Sequence, residues 1–165
     1  MRALAYEETN YYHIALDFYK RALEVDPNHH LSHLAIGEAN SKNCNYKAAI
    51  ISLEKSIEIN PNYMKAYYAL GKAQMEEGHL KAALKNCMAA IEIGPASADV
   101  FELMALIKLK QDDLDAALAG FEKALAINPN RHSAENNKGF AYYLKGDLFA
   151  SIKSHKQALK IDPEE

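Results

Sequence analysis

Cysteine and proline are scarce in this chain, and neither sign of charge is in marked excess. The 165 residues hold two cysteines, Cys44 and Cys87. Two thiols make neither a disulfide framework nor a metal set, and they fit a reduced, cytoplasmic compartment. With 19 basic against 22 acidic residues, the formal net charge is −3. That balance argues against the concentrated basic patch that a nucleic-acid backbone requires, so nucleic acid is not the expected partner. No apolar run approaches the roughly 20 residues of a membrane span, and membrane insertion is not expected. The opening Met1-Arg2-Ala3-Leu4-Ala5-Tyr6-Glu7-Glu8 lacks an apolar core and places acids early, unlike a signal peptide.

The few prolines carry the architecture. They stand at Pro27, Pro61, Pro95, Pro129 and Pro163, each 34 residues after the last. Proline removes a backbone donor and clashes with the preceding helical turn, so this spacing punctuates five equal units. The columns between the prolines repeat as well. Leu16, Ile50, Leu84, Leu118 and Ile152 share one column. Leu23, Ile57, Ile91, Leu125 and Leu159 share a second, and Val25, Ile59, Ile93, Ile127 and Ile161 a third. Their offsets describe one face of a helix at a period of about 3.6.

Two further columns hold small residues. One is Ala15, Ala49, Ala83, Ala117 and Ser151; the other is Ala3, Gly37, Gly71, Ala105 and Gly139. Glycine inside a helix costs about 1 kcal/mol relative to alanine, so small residues in both columns point to two antiparallel helices in close approach. Between them lies a turn pair: Asn10-Tyr11, Cys44-Asn45, Gly78-His79, Asp112-Asp113 or Gly146-Asp147. Gly, Asn and Asp suit such turns because they tolerate left-handed backbone or bond to it locally. Tyr12, Tyr46, Leu80, Leu114 or Leu148 then opens the second helix. Each unit thus reads as helix A, a tight turn, helix B and a proline break. The period-two alternation of strands is absent.

These residues resemble the tetratricopeptide repeat (TPR), whose pattern runs aromatic, Leu-Gly, Tyr, Ala, Phe, Ala and Pro. The third unit carries Tyr67, Leu70-Gly71, Ala83, Ala90 and Pro95. The fourth carries Phe101, Met104-Ala105, Ala117, Phe121, Ala124 and Pro129, and the fifth keeps Gly139, Tyr142, Ala158 and Pro163. The resemblance spans the whole chain. It implies an all-α, right-handed superhelical solenoid of antiparallel helix pairs, with A helices on a concave face and B helices on a convex one. A single array is expected over residues 1–165, phased as 30–63, 64–97, 98–131 and 132–165, with 1–29 an incomplete first repeat whose helix A is short. The chain reads as an excised segment of a longer array, or as a small protein. Neighbour stacking should supply its stability, because no unit buries its apolar face alone.

The last unit places His155 where the others place Tyr19, Leu53, Cys87 and Phe121, with Ser151 and Ser154 nearby. Either this is a polar cap on the end of the stack, or it is degeneracy in a divergent repeat. Phe149, Leu148 and Leu159 remain apolar in the same helix.

The family resemblance implies binding of a protein or peptide in the concave groove. Carried over by position, the groove columns are Leu31, Leu34 and Glu38, then Lys65, Tyr68, Lys72 and Met75. They continue with Asp99, Glu102, Leu106 and Leu109, and with Asn136, Asn137, Phe140 and Tyr143. Apolar spots among charges of both signs suit a peptide or helix with apolar anchors. The competing reading packs several of these side chains between adjacent A helices. The carboxylate clamp of chaperone-binding members is not supplied: neither register gives the cationic set, and Glu38 or Asp99 would repel a carboxylate.

Other chemistry is weakly signalled. His29, His30 and His33 cluster between the first two units, but no cysteine completes a structural zinc site, and a solvated loop is the plainer reading. Cys87 occupies a core column, and no activating group accompanies Cys44. Tyr11, Tyr12, Tyr46 and Tyr67 fall in turn or core columns, and there is no phosphate-binding glycine loop after a strand. No cofactor, metal or catalytic residue is assigned, and no enzyme is expected. The alternative to a peptide-binding module is an architectural segment that self-associates through its repeat ends or convex face.

Overall fold

The computed structural model describes residues 2–95 and 97–162, with side chains from residue 12 onward. Pro163 and the side chain of Ala3 lie outside the described residues. All regular structure among the described residues is α-helical: α1 (Arg2–Val25), α2 (His30–Lys42), α3 (Tyr46–Ile59), α4 (Met64–Glu77), α5 (Leu80–Ile93), α6 (Ala98–Lys110), α7 (Leu114–Ile127), α8 (His132–Lys145) and α9 (Leu148–Ile161). The chain divides into two compact units, residues 1–93 and 94–165. In the first, α2 pairs with α3 and α4 with α5, while α3 packs on α4 and α1 on α2. In the second, α6 pairs with α7, α8 with α9, and α7 packs on α8.

The turns inside the four pairs share one geometry. Cys44, Gly78, Asp112 and Gly146, spaced by 34 residues, take φ of 57°, 92°, 61° and 84°. The following amide then reaches back five residues: Asn45 N to Asn40 O, His79 N to Gln74 O, Asp113 N to Lys108 O and Asp147 N to Tyr142 O, at 2.8–3.0 Å. This left-handed closure satisfies carbonyls that the helix end leaves orphaned. On the far side, Asp113 and Asp147 accept from Ala116 N and Ala150 N and cap α7 and α9.

The proline breaks hold a device that the column reading missed. The residue before the proline is Asp26, Asn60 or Asn128, and its side-chain oxygen accepts from the amide of Asn28, Asn62 or Asn130. A short polar side chain bonding two residues ahead turns the chain, while the proline fixes φ. The signal was present as Asp/Asn-Pro-Asn in three units.

Packing follows the small columns. Ala49, Ala83, Ala117 and Ala105 are fully buried, as are Leu53, Cys87 and Phe121 in the column that faces helix A. A Cβ on Gly37 would lie 2.5 Å from Leu53 Cγ, so glycine is what lets α2 reach α3. Burying each of Leu53 and Phe121 contributes roughly 1.5–3 kcal/mol from desolvation.

The first unit departs from its expected form. Asn10-Tyr11 is not a turn; both residues lie inside the continuous α1. Tyr12 accordingly opens no second helix. Running on as one helix keeps the backbone groups around Asn10 and Tyr11 bonded within the helix, where a turn would leave helix ends to be capped.

Candidate functional site

Within residues 1–93, the A helices α2 and α4 present a sparse polar face. Leu31 and Lys72 stand exposed, and Tyr68 is half-buried. Glu38 pairs with Lys65 across the two helices, N–O 3.0 Å. Two of the candidate residues are not on offer: Leu34 and Met75 are buried. They support the face from beneath.

Within residues 94–165, the corresponding face of α6 and α8 is built around one arginine. Arg131, just before α8, donates from Nη2 to Asp99 Oδ1 at 2.6 Å and from Nε to Glu102 Oε2. Glu102 is buried, so its charge is compensated in place. Burial lowers the Arg131 pKa, but the hydrogen bonds to Glu102 and Asp99 outweigh it and the net shift is upward. Glu38 and Asp99 are therefore each paired with a cation, Lys65 of α4 and Arg131 at the N-cap of α8. The expected repulsion of a carboxylate by these two residues is correspondingly weakened. Leu106 and Leu109 pack against the buried cluster of Ala98, Ala105, Leu118, Phe121 and Ala134.

On the A-helix side of this second unit, exposed apolar side chains stand on α8. Phe140 is 47% exposed and Tyr143 58%, their rings near parallel with centroids 6.5 Å apart. Leu144, one residue on, is exposed as well. Asn136 takes part in a different contact, its Oδ1 accepting from His155 Nδ1 at 2.9 Å. His155 lies against Gly139, where an added Cβ would come within 2.9 Å of the ring. A cleft of about 210 Å³ opens beside them, lined by His132, Asn136, His155, Ala158, Leu159 and Asp162. The outer side of α9 is no uniform polar cap, since Leu148, Phe149, Ile152 and Leu159 are exposed.

The histidine cluster is absorbed locally. His29 Nδ1 bonds Ser32 Oγ at 2.8 Å, His33 Nε2 bonds the Pro27 carbonyl at 3.0 Å, and His30 meets the edge of Tyr63. Among the described residues no group of His, Cys, Asp or Glu is arranged to hold a metal ion. Burial pushes the Cys87 thiol up to about 12, which leaves it without thiolate character. No described helix is long and apolar enough to cross a membrane.

Antiparallel helix pairs, a left-handed turn every 34 residues and a sealed small-residue column define an all-α helical-repeat protein of the solenoid class. The profile described as TPR repeat matches residues 45–78. Profiles described as Tetratricopeptide repeat match residues 1–29, 65–97 and 103–165. The chain belongs to the tetratricopeptide repeat family.

Solved structures agree on the fold. MamA is 28% identical over 90% of this chain and 87% of its own, TM-score 0.78. YrrB, described as a TPR protein with an unusual peptide-binding site, is 23% identical over 99% of this chain and 84% of its own, TM-score 0.73. A thermophilic TPR protein of Thermus thermophilus is 20% identical over 98% of this chain and 89% of its own, TM-score 0.80. No match to a curated protein was found.

Proposed function

We propose that this chain is a protein-interaction scaffold that binds a partner peptide or helix on its A-helix faces, in the concave groove that family resemblance implies. The family supports the general kind of function. One observation carries the finer reading: Phe140 and Tyr143 form a stacked, exposed aromatic pair on α8. Aromatic rings left in water on a helix face offer a rigid anchor site at low entropic cost. Within residues 94–165 the exposed Leu144 on α8 extends this apolar surface, and Arg131 pairs with Asp99 and Glu102. A partner with spaced apolar side chains matches this surface better than a purely acidic tail. Affinity in the micromolar range is expected, because ordering a flexible peptide offsets much of the contact energy. The chain has no assigned catalytic residue, and the reading is non-enzymatic.

The test is a selection from a random peptide library on the intact chain, followed by titration of the selected peptides against Phe140→Ala, Tyr143→Ala. Peptides with aromatic or aliphatic anchors should emerge and lose about tenfold or more in affinity, the scale of a hot-spot truncation. Selected peptides indifferent to both substitutions would place binding elsewhere. A second reading, assembly of copies through the repeat ends, is favoured by the exposed Ile14, Phe18 and Val25 of α1 and the exposed Phe149 and Ile152 of α9.

A further inference from the structure

The first helix carries a face that the rest of the molecule always covers. Tyr19 belongs to the column of Leu53, Cys87 and Phe121, each of which is fully buried, yet it is 38% exposed. Ala15 and Ala22 are only half-buried, where Ala49, Ala83, Ala117, Ala90 and Ala124 are sealed. Among the described residues α1 packs on α2 and on no other helix. In this setting it serves only as a helix B for the helix A that follows it.

The other units show what covers this face. Leu53 lies against Gly37, and His155 lies against Gly139. Subtracting whole repeats from either pair puts Ala3 opposite Tyr19, and the Tetratricopeptide repeat profile matches residues 1–29 as a repeat in sequence. In a continuous helix from Arg2 to Val25, however, residue 3 stands 16 positions from residue 19 and cannot fold back onto it. At a rise of about 1.5 Å per residue the two are roughly 24 Å apart.

Phe18 explains why the hairpin does not close. Its column elsewhere holds Ser52, Asn86, Gly120 and Ser154. At Gly120 even a Cβ would come within 2.8 Å of Ala105 Cβ, and Ala3 is the first unit's counterpart of Ala105. A tight turn fixes the helices at that close spacing, which leaves no room for a phenyl ring. Two helices with no turn between them are free to settle at the wide end of the roughly 8–10 Å range. Phe18 is 74% exposed and belongs to a seven-residue series with Leu4, Tyr11 and Val25. Spacing by seven keeps those positions on one stripe of a helix pair.

We propose that α1 pairs antiparallel with α1 of a second copy of this chain, residues 2–9 of each copy covering the Ala15–Tyr19–Ala22 face of the other. In that register position 3 lies opposite the partner copy's position 19, position 4 opposite position 18, and position 11 at the twofold axis. The interface is self-complementary, as a two-copy exchange of one element requires. The proposal gives the assembly reading one surface and one partner, and is independent of the peptide face on α8.

The full chain carrying Cys44→Ser and Cys87→Ala is prepared with Ala3→Cys in one sample and Tyr19→Cys in another, each checked for helical content. After mild oxidation, the mixture should yield a disulfide-linked dimer holding one chain of each kind, and neither sample alone should. The unmodified chain should show a concentration-dependent mass by sedimentation, and Phe18→Ser should weaken the dimer about tenfold or more, as for an interface anchor. With both cysteines in one chain, Asn10→Gly should move the disulfide from between chains to within one, by restoring the left-handed turn column. A monomeric mass up to about 100 µM would overturn both the proposal and the assembly reading. A dimeric mass without the mixed disulfide would overturn the proposal and leave assembly through another face. Closure of the disulfide within the chain without Asn10→Gly would show that the hairpin forms after all.

Discussion

Helices α1 and α7 carry the same repeat columns and stop two residues short of a proline, but their surroundings differ. In α7, Phe121 is fully buried beside Ala105, and Gly120 is so close to α6 that a methyl group would collide with it. In α1, Tyr19 and Phe18 occupy the matching positions and reach solvent. An apolar column is therefore necessary but not sufficient for a core. A side chain becomes core when the sequence also supplies a small residue opposite it and a turn that brings the two together. Burial also varies along the A helices: Leu34, Met75 and Glu102 are covered, whereas Phe140 and Tyr143 are not.

The largest expected effect separates two members of one column. Phe121→Ala should cost about 3–5 kcal/mol in chemical denaturation, as for other buried aromatics. Tyr19→Ala, measured at sub-micromolar concentration, should cost less than about 1 kcal/mol, since a partly exposed ring has less contact to lose. Equal costs would mean that α1 is sealed in solution and that the comparison fails.

Gly37→Ala tests the close approach itself. The added methyl meets Leu53 Cγ at 2.5 Å. Overpacking of about 1–3 kcal/mol, less the roughly 1 kcal/mol gained in helix propensity, leaves a modest net loss. A rise in stability would show that α2 and α3 have slack between them. The turn column offers a smaller change of opposite sign. Cys44 is a non-glycine residue at φ 57°, so Cys44→Gly should stabilise by up to about 1 kcal/mol. An unchanged or lowered denaturation midpoint would count against left-handed strain at this turn.

The two thiols give a comparison without mutation. Cys44 is exposed and Cys87 is buried, with its pKa pushed up to about 12. At pH 8 a thiol reagent should modify Cys44 promptly and reach Cys87 only on unfolding. Rapid loss of both thiols in the native protein would place Cys87 outside the core.

The sequence made the helix pairs and the sealed columns legible, because proline, small and apolar columns recur at one interval. Tyr46, Leu80, Leu114 and Leu148 open their helices as their place after the turn pair requires. Other features depend on partners distant in sequence and were not legible. The pairings of Arg131 with Asp99 and Glu102, and of Lys65 with Glu38, arise only when neighbouring A helices lie side by side. The failure of the Asn10-Tyr11 turn has a signal in hindsight, a phenylalanine in a column that otherwise holds serine, asparagine or glycine.

Phe140 and Phe149 provide the most direct test of the binding surface. Both are exposed phenylalanines in the last helix pair; Phe140 lies on helix A beside Tyr143, and Phe149, 83% exposed, lies on helix B. Calorimetric titration of one selected peptide against the intact chain, Phe140→Ala and Phe149→Ala is the decisive measurement. The proposed function predicts about a tenfold or greater loss for Phe140→Ala and an unchanged affinity for Phe149→Ala. An unchanged affinity for Phe140→Ala with a loss at Phe149→Ala would contradict it and move the binding surface to the B helices.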